Sequence, residues 1–82
     1  MNNNYIFEII KVGVLNNSEA PIDNDIFYKC LICEGIIPSC PKEDVGCQCG
    51  NIAIDIVLHR LFIGNKENFS ILKRKKYYNH KI

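Results

Sequence analysis

No stretch of this 82-residue chain is apolar over the roughly 18–20 residues that a membrane-spanning helix needs. The first residues, MNNNYIFEII, have no basic start, no sustained apolar run and no small-residue cleavage site, which argues against a secretory signal. Tryptophan is absent and histidine occurs twice, as His59 and His80. Nothing resembles a phosphate loop, a catalytic triad or a paired-carboxylate site, so the sequence carries no sign of an enzyme. There is no internal repeat, no linker and no low-complexity tract beyond the Asn-rich start. These absences predict a cytoplasmic, non-enzymatic protein with no membrane segment.

What is present fits one small domain. A chain of this length buries roughly 60–65% of the surface its unfolded form exposes, so its core alone is marginal. Domains this small often add disulfides or a metal. With 48% hydrophobic and 23% charged residues, disorder along the whole chain is not expected. Isoleucine is abundant, and β-branched residues in short runs favour strands.

The pattern along the chain predicts a mostly β fold. YIFEIIKVGVL (5–15) reads as a first strand and NNSEAPIDND (16–25) as a loop. IFYKC (26–30) is a short strand leading into two cysteines. GIIPS (35–39) is a return strand stopped by Pro38, followed by a turn at CPKED (40–44). NIAIDIVLHRLFI (51–63) begins with clean alternation, with Ile52, Ile54, Ile56 and Leu58 on one face. A bend near Leu58–Arg60 makes this a tight hairpin; a single helix is the alternative. GNKEN (64–68) is a turn and FSILK (69–73) a last strand.

All five cysteines fall between Cys30 and Cys49. In a reducing cytosol, clustered cysteines are more often metal ligands or catalytic thiols than disulfides. The spacing is Cys30-x2-Cys33, thirteen residues, then Cys47-x-Cys49-Gly50. Two close pairs separated by such a loop suit one tetrahedral Zn²⁺. The expected arrangement is a small zinc-ribbon-like antiparallel sheet in which two turns clamp the metal. Gly35 and Gly50 follow the pairs, where such turns often need a positive φ. Four ligands leave no open position, so the Zn²⁺ is structural. No βαβ context supports a redox CxxC, and buried free thiols are the alternative. Cys40, between Ser39 and Pro41, reads as a free thiol.

A formal net charge of +1 hides an asymmetry. Residues 73–82 carry Lys73, Arg74, Lys75, Lys76 and Lys81, while residues 1–72 sum to −4. The expected organisation is a domain over 1–72 followed by a flexible basic tail over 73–82. That tail mixes cations with Tyr77 and Tyr78, a composition that binds nucleic acid through phosphate contacts and stacking. The acidic body is a poor platform for a polyanion. Asp55, among apolar residues, is expected to pair with Arg60 or a lysine across the hairpin. His59 reads as a strand-end or turn residue.

The stretch from Tyr28 to Leu61 resembles a group of small bacterial zinc-ribbon-like proteins. Cys30, Cys33, Ile37, Pro38, Ser39, Cys47, Cys49, Gly50, Asn51, Asp55, Arg60 and Leu61 carry the likeness, which covers about half the chain. Glu34 stands where a glycine usually follows the first pair, and Cys40 is extra. Small standalone proteins of this kind look similar to immunity proteins of bacterial toxin systems, including contact-dependent inhibition. That resemblance implies a protein that binds and neutralises a cognate toxin domain. Nuclease toxin domains are typically basic, and an acidic body would be steered to them. The acidic residues Asp23, Asp25, Glu43, Asp44 and Asp55 are the expected contacts. The alternative is a nucleic-acid-binding zinc ribbon that uses the basic C-terminal residues.

Overall fold

The computed structural model describes residues 4–77, which form seven strands in two antiparallel sheets. Strand β1 (Asn4–Val12) follows the first β-branched and aromatic run. It ends three residues before the expected Leu15, because Gly13 takes φ 77 and turns the chain. The Gly13 N–H donates to the Phe69 carbonyl at 2.6 Å, next to Ser70, which pairs with Val12. A single 3-10 turn at Asn17–Glu19 follows, closed by a capping box between Asn16 and Glu19. The Asn17 side-chain amide donates to the Leu61 carbonyl at 2.5 Å and ties this loop to the second sheet.

Strand β2 (Ile26–Cys30) alternates buried and half-buried residues and delivers Cys30 at its end. Strand β3 (Ile36–Pro38) returns antiparallel to it, with Tyr28 opposite Ile37. Strand β4 (Val45–Gly46) lies in a stretch with no strand signal; pairing with Ile54 and Ala53 forms it, not its own propensity. Strands β5 (Ile52–Asp55) and β6 (Arg60–Ile63) make the expected hairpin. Asp55 faces Arg60 across a four-residue loop whose last member, His59, takes φ 53. The alternation expected to run to Leu58 stops at Asp55, and Val57 and Leu58 are exposed in the loop.

After a 3-10 turn at Lys66–Asn68, strand β7 (Phe69–Tyr77) runs beside β1 along its full length. The strand runs past its expected end at Lys73. Lys73, Arg74, Lys75 and Lys76 continue the strand, and their backbone pairs with residues 5–8. The remainder of the expected tail, residues 78–82 with Tyr78, His80 and Lys81, lies outside the described residues.

One sheet has the order β1-β7-β2-β3 and the other β4-β5-β6. The core lies between them: Val14, Ile26, Tyr28, Ile37, Ile52, Ile63, Phe69 and Ile71 are buried, together with Cys30 and Cys47. The Tyr28 and Phe69 rings are 5.1 Å apart between centroids. Burying each such side chain contributes about 1.5–3 kcal/mol. Strand β2 pairs with β7 only as far as Lys73. The Arg74 N–H still reaches the Asp25 carbonyl at 2.7 Å. Beyond it, β1 and β7 continue as a two-stranded arm, and the molecule is elongated, 47 × 25 × 22 Å.

Candidate metal centre

Each cysteine pair is held by a turn whose geometry follows from backbone hydrogen bonding. At the first, the Cys30 N–H donates to the Gly35 carbonyl at 2.9 Å, and the Ile32 N–H points at the Cys30 sulfur at 3.3 Å. At the second, the Cys47 N–H donates to the Ile52 carbonyl at 2.9 Å, and the Ile52 N–H points back at the Cys47 sulfur at 3.3 Å. The two turns are the same device used twice. In each, a strand end supplies the first thiol, and an amide further along the chain points at its sulfur.

These turns bring Cys30, Cys33, Cys47 and Cys49 together, with all four sulfurs within 4.8 Å of one another. Cys30 and Cys49 are 3.5 Å apart and Cys47 and Cys49 3.7 Å. A disulfide needs about 2.05 Å, so these are separate thiols. Four sulfurs at about 2.3 Å from a tetrahedral ion would stand about 3.8 Å from each other. The donor set therefore fits one four-coordinate ion of the kind that thiolates bind. Cys30 and Cys47 are buried, Cys33 is half-buried and Cys49 is exposed, so the centre sits under the surface with one side toward solvent. Cys40 is exposed, and the group of four does not include it.

The electrostatics of the thiols suit a cation. The backbone N–H groups of Cys49 and Gly35 pull the Cys33 thiol down to about 6. Burial pushes Cys30 up, but the N–H groups of Cys33 and Ile32 outweigh it and leave that thiol below its ordinary value. At Cys49 the Asn51 N–H lowers the pKa, yet burial and three neighbouring thiols outweigh it and push the group up to about 12. Four like charges in so small a volume repel, and a divalent ion removes the conflict.

The glycines serve this site differently from the sequence expectation. Gly50 takes φ 82, as expected. At the first turn the left-handed residue is Glu34, with φ 64, and Gly35 packs beside the cysteines without a positive φ. A Cβ on Gly35 would lie 3.4 Å from both the Cys33 sulfur and the Cys47 Cβ.

The acidic residues singled out from sequence are spread over two loops and one hairpin, and four of them have local work. Asp23 accepts from the Asp25 N–H at 3.0 Å. Asp25 accepts from Arg74 at 3.1 Å. Asp44 accepts from the Ile56 N–H at 2.9 Å, and Asp55 from the Leu58 N–H at 3.0 Å. Glu43 is exposed. The Asp55 carboxylate thus caps its own hairpin loop, while Arg60 lies over the Phe62 ring at 5.3 Å.

Sequence reasoning did not find the surface of β1. Tyr5, Ile6, Phe7, Ile9, Ile10 and Val12 are 45% to 60% exposed on the outermost strand of the larger sheet. The signal available was the length of the apolar run; what it lacked was the strand order that leaves this run uncovered. No family model, curated protein or solved structure matches the chain. No helix among the described residues is long and apolar enough to cross a membrane.

Proposed function

We propose that this chain is a zinc-stapled binding protein of the cytoplasm that neutralises a cognate bacterial toxin domain, in the manner of an immunity protein. One observation carries the binding class: six large apolar side chains stand exposed on an edge strand. Large apolar side chains left uncovered on a sheet edge suit a protein interaction site. The toxin assignment rests on the resemblance of the cysteine-centred stretch to small zinc-ribbon-like proteins. The partner's character rests on charge. The −4 body would steer the chain toward a basic domain, and a nuclease is the basic toxin class this favours. Asp23, Asp25, Glu43, Asp44 and Asp55 would supply that field, and any direct contact they make is additional to their hydrogen bonds within the loops.

Zn²⁺ on Cys30, Cys33, Cys47 and Cys49 would act as a folding element. Apparent binding energies of about 10–16 kcal/mol exceed what a core of this size supplies.

Native mass spectrometry of the protein isolated gently from its host tests the reading. One zinc per chain and a co-isolated basic domain, whose nuclease activity the purified protein abolishes at equal stoichiometry, is the expected result. A partner whose activity is unaffected would overturn the immunity assignment.

A second reading, a nucleic-acid-binding ribbon, is favoured by one feature. By register, Arg74 and Lys76 share a sheet face with Tyr5 and Phe7, and the Arg74 guanidinium lies 4.9 Å from the Tyr5 ring centroid. Cations interleaved with aromatic rings suit single-stranded nucleic acid. That reading predicts oligonucleotide binding that raised salt abolishes.

A further inference from the structure

At the edge of the larger sheet that lies farthest from β1 in the strand order, a cleft of about 280 Å³ opens between the two sheets. Ile22, Pro41, Ile54, Ile56 and Leu61 wall it, and the buried Tyr28 stands at its inner end. An apolar cavity of roughly 150 Å³ already takes a benzene-sized group. This cleft is therefore large enough for one big side chain, and it falls just short of the roughly 300–1,000 Å³ of most small-molecule sites. Its lip is apolar as well, because Ile22 is 72% exposed.

The polar groups along the walls are committed within the protein. The Tyr28 hydroxyl donates to the Pro21 carbonyl at 2.8 Å. The Ser39 hydroxyl donates to the Asp23 carbonyl at 2.8 Å and accepts from the Asp23 N–H at 3.1 Å. Asp55 accepts from the Leu58 N–H at 3.0 Å. Small polar ligands are oriented by polar groups that remain available to them. Cys40 and His59 are the other polar residues of the lining besides Arg60, and both are exposed. The walls themselves offer apolar contact, so the group that fills the cleft is apolar.

Charge around the cleft is a separate observation. Asp55 lines it, and Asp44 accepts from the N–H of the wall residue Ile56 at 2.9 Å. Asp23 follows Ile22, with its backbone held by the Ser39 hydroxyl. Among the described residues, none of these three carboxylates pairs with a cation. Arg60 is the cation that lines the cleft, and its guanidinium lies 5.3 Å from the centroid of the Phe62 ring, which is not part of the lining. Lys42 and Glu43, next along the chain from Pro41, offset each other.

From these features we infer that the cleft is an anchor pocket for one large apolar side chain of a protein partner, flanked on that partner by lysine or arginine. This rests on the reading of the chain as the inhibitor of a basic domain, and it adds a contact away from β1. A side chain seated in a desolvated pocket and ringed by complementary charge is the usual form of a binding hot spot. A second copy of the chain fits less well. The cations nearest its own exposed aromatic residues, Arg74 and Lys75, are already paired with Asp25 and Glu8.

The probe is a blocked lysine–phenylalanine–lysine tripeptide, titrated into zinc-loaded, isotope-labelled protein. The expected result is shift changes at Ile22, Ile54, Ile56 and Leu61, with residues 4–12 undisturbed. Alanine in place of the phenylalanine should abolish binding. A glutamate–phenylalanine–glutamate peptide should bind about fivefold more weakly or worse. Asp44→Asn combined with Asp55→Asn keeps an acceptor for the Ile56 and Leu58 N–H groups and should erase that preference. Ile22→Ser, at an exposed position, should weaken binding of the lysine peptide while zinc content stays at one per chain. Equal binding of the two charged peptides would overturn the inference, as would shifts confined to β1. Toluene binding as tightly as the lysine peptide would assign the cleft to a small apolar molecule. Concentration-dependent dimers that the peptide dissociates would assign it to a second copy. If the peptide fails and Ile22→Ser still inhibits a co-isolated nuclease at equal stoichiometry, the anchor inference falls and the immunity reading stands. If the peptide binds as expected and the co-isolated partner's activity is unaffected, the anchor pocket stands and the immunity reading falls.

Discussion

The side-chain oxygen of Asn51 accepts a hydrogen bond from the Asn65 N–H at 2.6 Å. Its amide group donates to the carbonyls of Asn65 at 3.4 Å and Asn68 at 3.3 Å. The Asn68 carbonyl also accepts from the Leu31 N–H at 2.9 Å. Leu31 lies inside the first cysteine pair, and Asn51 follows the second. The turn at Lys66–Asn68 is thus shared by both halves of the candidate metal centre, and Asn51 is the side chain that joins them. Asn51→Ala removes three hydrogen bonds at a buried position. It is expected to cost about 2–3 kcal/mol. A lower denaturant midpoint with one zinc per chain retained is the expected outcome. Loss of metal without a change in midpoint would place Asn51 at the metal instead.

Asn51 illustrates how much was legible. The resemblance pointed to it, yet nothing in the spacing said that it fastens one turn to another. Ser39 behaves alike: its hydroxyl donates to the Asp23 carbonyl at 2.8 Å and accepts from the Asp23 N–H at 3.1 Å. The four cysteines were readable because ligand spacing is a local property, and strand β2 because its alternation is. Strand β4 was not, because two residues carry no signal until Ile54 and Ala53 lie beside them. The extension of β7 through Lys76 was missed for the same reason. Consecutive cations read as a solvated tail, and only pairing with β1 makes them a strand.

Glu34 is a residue other than glycine in the left-handed region, at φ 64. Such a conformation costs an ordinary side chain about 1–2 kcal/mol. Glycine gives back part of the gain through the extra freedom of the unfolded chain. Glu34→Gly is therefore expected to stabilise the zinc-loaded protein by about 1 kcal/mol. A thermal midpoint about 4–8 °C higher is the corresponding readout. An unchanged or lower midpoint would mean that the Glu34 side chain contributes more than its backbone costs.

Metal removal should have a large effect. A chelator is expected to abolish the β signal in far-ultraviolet circular dichroism, because binding energies of about 10–16 kcal/mol support a marginal core. Cys33→Ser should lose the metal and the fold together. Cys40→Ser should keep one zinc per chain, because Cys40 is exposed and outside the group of four sulfurs. The four ligand thiols must shed protons to bind, so metal affinity should fall as the pH is lowered. A chain that keeps its spectrum in chelator would refute the structural role of the metal. An equal loss of zinc in Cys40→Ser and Cys33→Ser would refute the ligand assignment.

Tyr28 is expected to set the alkaline limit of the fold. Its ring is buried against Phe69, and its hydroxyl donates to the Pro21 carbonyl at 2.8 Å. Burial pushes the phenol up to about 12, against an ordinary value of 10. A folded-state pKa raised above the unfolded one contributes stability that is complete below the unfolded value. That stability is lost as the pH rises through the folded value. The zinc-loaded protein should therefore hold its fold up to about pH 10 and weaken between there and about pH 12. Absorbance at the tyrosinate band should show one of the four tyrosines ionising late, together with loss of the fold. Tyr28→Phe keeps the ring contact, forfeits the hydrogen bond at a cost of about 1 kcal/mol and removes the late step. If the late step persists in Tyr28→Phe, another phenol carries it, and the alkaline limit belongs elsewhere in the core.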